Sequence, residues 1–61
     1  MFEGFEMGTL WKMKNAPDFT TYRVIMNSIG ADDGPEVGFD RDDQMVTYTV
    51  TWARENMEPV I

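Results

Sequence analysis

The chain contains no cysteine and no histidine. A disulfide cannot staple it, and the usual ligands of structural zinc and of haem are missing. The two side chains most used as catalytic nucleophile and general base are absent as well, and Ser28 is the sole serine. Basic residues are scarce: 5 Lys and Arg stand against 11 Asp and Glu, for a net charge of -6. That balance argues against direct binding to nucleic acid or to an anionic membrane, because attraction to phosphate dominates both. No apolar run approaches the roughly 20 residues that span a bilayer. The first residues carry neither a basic start nor a continuous apolar stretch, so no signal peptide is expected and the cytoplasm is the default compartment.

A length of 61 residues is read as one small domain, residues 1–61, with a modest core and marginal stability. With no staple, such a scaffold depends on packing, on oligomerisation or on a partner. The aromatic residues Phe2, Phe5, Trp11, Phe19, Tyr22, Phe39, Tyr48 and Trp52 supply enough apolar bulk for a core and speak against wholesale disorder.

The strongest pattern is Gln44 to Arg54, QMVTYTVTWAR. Val46, Tyr48, Val50 and Trp52 alternate with Met45, Thr47, Thr49 and Thr51, in residue types that suit a pleated, half-buried surface. A strand over this stretch has no charge from Gln44 to Ala53. Left at a sheet edge it would template pairing with other chains, so pairing on both sides is expected, within the chain or across an oligomer interface. Thr9 to Lys14 reads as a short strand with a basic outer face, and Asn15 to Asp18 as the first reversal. Phe19 to Ile29 reads as a strand with Tyr22, Val24 and Met26 on one face and Thr21, Arg23, Ile25 and Asn27 on the other. Asp32-Asp33-Gly34 is a turn signal. Glu36 to Phe39 is then a short edge strand with Val37 and Phe39 inward, followed by a tight turn over Asp40 to Asp43. Met1 to Gly8 reads as irregular, with its aromatics folded over the core, because Gly4 and Gly8 disfavour a helix. Near the C-terminus Thr51 to Met57 can instead form a short helical turn that Pro59 limits.

The fold class that follows is mainly β: a small antiparallel sheet of three to five strands, a meander with the option of curling into an SH3-like barrel, and a short helical turn at the C-terminus. A flat three-stranded sheet would leave a large apolar face uncovered, so closure or association must cover it.

Function is read from charge and from exclusion. Asp32, Asp33, Glu36, Asp40, Asp42 and Asp43 crowd one segment, opposed only by Arg41. Such residues suit solvated turns, and they also suit a surface directed at a basic protein, since acidic fields steer such encounters. They lack the EF-hand pattern, which needs a Gly and a distal Glu at fixed spacing. A weak surface cation site is the residual alternative. No catalytic residue, cofactor or metal site is expected, and so small a sheet has little room for a cleft that would tune a carboxylate pair. The reading is a non-enzymatic, acidic interaction module that binds or inhibits a larger, basic or nucleic-acid-binding protein through those acidic residues. It would self-associate as a homodimer or other homo-oligomer through Met45, Thr47, Thr49, Thr51, Val60 and Ile61. The alternative is a structural assembly or particle-decoration subunit held together by β-pairing. Short length, acidity and the lack of a catalytic constellation are a composition that suits accessory proteins of viruses and mobile elements.

Overall fold

The computed structural model describes residues 2–16, 19–30 and 34–60. Strands β1 (Leu10–Met13), β2 (Tyr22–Ser28), β3 (Glu36–Arg41) and β4 (Gln44–Thr49) are followed by helix α1 (Val50–Asn56) and strand β5 (Met57–Pro59). They form one five-stranded sheet in the order β4-β3-β2-β1-β5, every neighbouring pair antiparallel. The mainly β architecture and the short C-terminal helix agree with the sequence reading.

The link from β4 to β5 explains the sheet's shape. These strands occupy opposite edges, and laid flat they would stand about 19 Å apart, four spacings of about 4.8 Å. The seven residues of α1 rise only about 10 Å. The sheet must therefore curl to bring its edges within reach. It does not close into a barrel, because β4 and β5 do not pair. The helix leads from the Thr49 end of β4 across to β5, with Val50 and Ala53 buried.

The core fills the concave side. Phe5, Trp11, Tyr22, Val24, Val37, Phe39, Val50, Ala53 and Met57 are buried, with Phe2, Met13, Val46 and Tyr48 packed against them. Phe5 comes from the irregular N-terminal segment, as expected from the two glycines. Gly4 adopts φ +88°, a backbone conformation in which an L side chain would be strained. The Phe5 ring stacks on Trp11, with centroids 4.3 Å apart. The Arg54 guanidinium covers it from outside at 5.3 Å.

Several expectations are corrected. The stretch from Gln44 to Arg54 is not one strand. It ends at Thr49, whose hydroxyl oxygen accepts a hydrogen bond from the Trp52 amide at 3.1 Å, capping α1. A side-chain cap of this kind satisfies an amide that has no partner inside the helix. Thr51 therefore leaves the Met45, Thr47, Thr49 row and stands exposed in the first turn of α1. The strand at Glu36 is not at an edge: β3 lies between β2 and β4, and β4 itself is the edge. The expected faces of β2 also fail beyond Val24. Val24 pairs with Phe39 while Met26 pairs with Gly38, so Ile25 is an extra residue and the alternation changes phase. Met26 moves to the outer face, and Asn27 turns inward, where its side-chain amide reaches the Phe5 carbonyl at 3.5 Å. The outer position opposite Met26 is Gly38, where a Cβ would come within 3.2 Å of the Met26 Cβ.

The tight turn is narrower than Asp40 to Asp43. Arg41 pairs with Gln44, leaving Asp42 and Asp43 as a two-residue loop with φ of 51° and 67°. Two successive positive φ values match the right-handed strand twist and favour Asn-Gly or Asp-Gly. Asp tolerates this region better than most residues, though with some strain. Asp43→Gly is expected to stabilise the fold by about 0.5–1 kcal/mol, net of the entropy glycine adds to the unfolded chain. That corresponds to a rise in Tm of about 2–8 °C. A thermal melt checks it, and an unchanged Tm would remove strain at this turn from the account.

Candidate functional site

The antiparallel order places Met13, Tyr22, Arg41, Gln44 and Met57 at one end of the sheet, together with the last turn of α1. A groove of about 380 Å3 opens there between the helix and the loop after β1, lined by Met13, Lys14, Asn15, Ala16, Trp52, Glu55 and Asn56. Its floor is tied by a hydrogen bond from the Lys14 amide to the Asn56 carbonyl at 2.9 Å. The Asn56 side chain donates to the Trp52 carbonyl at 2.9 Å, which holds the last turn of the helix.

Trp52 is 38% exposed, and it is not loose. Its ring stacks on Tyr48 with centroids 4.4 Å apart and planes 18° from parallel. Tyr48 in turn meets Tyr22 at 6.5 Å and Phe39 at 6.1 Å, so an aromatic ladder runs from the core to the surface. Burial, with a smaller contribution from Tyr22, pushes the Tyr48 hydroxyl above its ordinary pKa and keeps it neutral. At the end of the ladder the neighbouring Tyr22 hydroxyl, as a hydrogen-bonding partner, holds the Arg41 guanidinium above its ordinary pKa. Glu55 follows Trp52 by three residues and shares its helix face, the spacing at which side chains on a helix become neighbours. An indole face beside a carboxylate suits a cationic side chain, through attraction to the ring quadrupole and to the charge.

Of the acidic residues singled out in the sequence, the described ones, Glu36, Asp40, Asp42 and Asp43, do not form one cluster. Glu36 and Asp40 lie on the outer face of β3, separated by Gly38, about 13 Å apart along the strand. Asp40 stands opposite Arg23 on β2 and Met45 on β4. Asp42 and Asp43 form the hairpin tip, at the same end of the sheet as the groove. Glu36 sits at the other end of β3; Asp32 and Asp33 lie outside the described residues. Among the described residues no three potential metal-ligating side chains come together. Of the proposed self-association set, Met45 and Thr47 are exposed on β4, Thr49 is the helix cap, and Val60 extends β5 by donating to the Leu10 carbonyl at 2.9 Å. Ile61 lies outside the described residues.

The groove is hidden in the strand reading, which sets Trp52 in a strand and Glu55 in the tail; only the alternative helical turn over Thr51 to Met57 brings the two together. The signal was present: Thr49 three residues before Trp52 is a cap spacing, and Val50 and Ala53 share a helical face.

Comparison with family models, with curated proteins and with solved structures finds no match. Among the described residues no helix is long and apolar enough to cross a membrane.

Proposed function

We propose that this protein is a non-enzymatic interaction module that binds a basic segment of a larger protein at the groove beside α1. The observation that carries the reading is the exposed Trp52 ring, held flat against Tyr48, with Glu55 on the same helix face. An aromatic surface fixed in advance loses little conformational freedom on binding. Asp42 and Asp43 lie at the same end of the sheet and add to the net charge of -6, which would steer a cationic partner to this end. Lys14 at the rim would repel a cation placed over it and so favour entry from the Trp52 and Glu55 side.

The test uses a short arginine-rich peptide and its glutamate-rich counterpart as probes, with indole fluorescence as readout. The arginine peptide is expected to change the emission with an affinity that falls as salt rises. Trp52→Phe should remove the signal, and Glu55→Gln should weaken binding by about 1.5–5-fold, as expected for loss of one partly exposed charge pair. Equal binding of both peptides, or no binding of either, would overturn the reading.

A further inference from the structure

Strand β4 is a sheet edge without the usual protection. Gln44 to Thr49 contains no charge and no proline, although edge strands are commonly guarded by lysine, proline or a bulge. Met45 on its outer face is 59% exposed. The other edge differs: β5 carries Glu58, held 3.5 Å from Lys12, and Pro59.

From this edge we infer that two copies of the chain pair through β4, antiparallel and centred on Val46. The closing pair of a two-residue hairpin is hydrogen-bonded, and in an antiparallel ladder bonded and non-bonded pairs alternate. Counting from Arg41 and Gln44, the backbone groups of Gln44, Val46 and Tyr48 point to β3. Those of Met45 and Thr47 point away from the sheet. A two-fold axis at Val46 sets Met45 of each copy against Thr47 of the other, so the free groups of both residues are used and four main-chain hydrogen bonds form. On the concave side Val46 meets Val46, and Gln44 meets Tyr48. On the outer side methionine meets threonine. No position opposes charge to charge.

Electrostatics select this register in a chain of net charge -6. The two Asp43 residues would lie about 20 Å apart, six residue steps along the paired strands. The two Asp40 residues would lie about 16 Å apart, across three strand spacings and two residue steps. Both separations exceed the Debye length of about 8 Å at physiological salt. A neutral strip in an acidic molecule is therefore the place where two copies can meet without repulsion. The contact is short against the roughly 800 Å2 per partner of a standard interface, so the dimer belongs to the weak, concentration-dependent class.

Analytical ultracentrifugation of the full chain from about 1 to 500 μM, in physiological salt, tests this. A shift from monomer to dimer across that range is expected, with no further growth, because the two-fold uses up the edge. Met45→Lys and Thr47→Pro should each move the transition at least ten-fold upward in concentration. The first sets a charge against the interface, and the second removes an amide that only the partner would use. Val60→Lys, on the opposite edge, should leave the transition in place. A monomer throughout, open-ended growth, or a dimer that survives both β4 substitutions would overturn the inference.

Discussion

Replacement of Phe5 by Ala is expected to remove about 3–5 kcal/mol of stability. The ring is 0% exposed. It stacks on Trp11 and meets Phe39 edge-on, with centroids 6.2 Å apart. Removing a buried phenylalanine side chain costs about 3–5 kcal/mol, because the loss of burial is joined by the cavity left behind. A domain of this length has about 3–9 kcal/mol in total, so the substitution consumes most of the margin. Phe5→Leu keeps most of the volume and should cost about 1–2 kcal/mol. Urea unfolding followed by near-ultraviolet circular dichroism measures both. A loss under about 1 kcal/mol for the alanine variant would place the N-terminal segment outside the cooperative core.

Phe39→Ala is expected to be as severe, at about 3–5 kcal/mol, for a different reason. Phe39 is carried by an interior strand and touches the rings of Phe5, Tyr22 and Tyr48, so its loss uncouples the N-terminal segment from the aromatic ladder that supports Trp52. Phe39→Leu should fold, and in that background the fluorescence response of Trp52 to a bound peptide should persist. The rings of Phe5 and Phe39 are in contact, so the two alanine substitutions should not add. A cycle built on the leucine variants should show a coupling of about 0.5–1.5 kcal/mol. Strict additivity would mean that the two rings sit in independent parts of the core.

The strands were legible because period-two alternation is strong over Tyr22 to Val24, Val37 to Phe39 and Met45 to Tyr48. What the alternation could not reveal was where it stops being spatially true. At Ile25 one inserted residue leaves the sequence pattern intact and reverses the faces, and only pairing with β3 reveals it. At Val50 the strand pattern runs on through Trp52, while Thr49 and the Val50/Ala53 spacing describe a helix equally well. Seven residues give too few turns for helical periodicity to prevail. The decision belongs to the tertiary structure, which needs a crossing from one edge of the sheet to the other. The groove depends on that crossing and was illegible for the same reason. The acidic residues were visible at once, but adjacency in sequence hid their division between the two ends of β3.

The position of β5 has a consequence for synthesis. This strand is the last made and pairs with β1, the first. Until it leaves the ribosome, β1 has only one neighbour, the concave side lacks Met57, and α1 has nothing to anchor its far end. The preceding strands can form their hairpins as they emerge, but the core cannot be sealed. Sealing of the core is therefore expected to wait until Met57 to Pro59 have emerged, and a ribosome paused before Met57 would hold an open, partly apolar sheet within reach of other nascent chains.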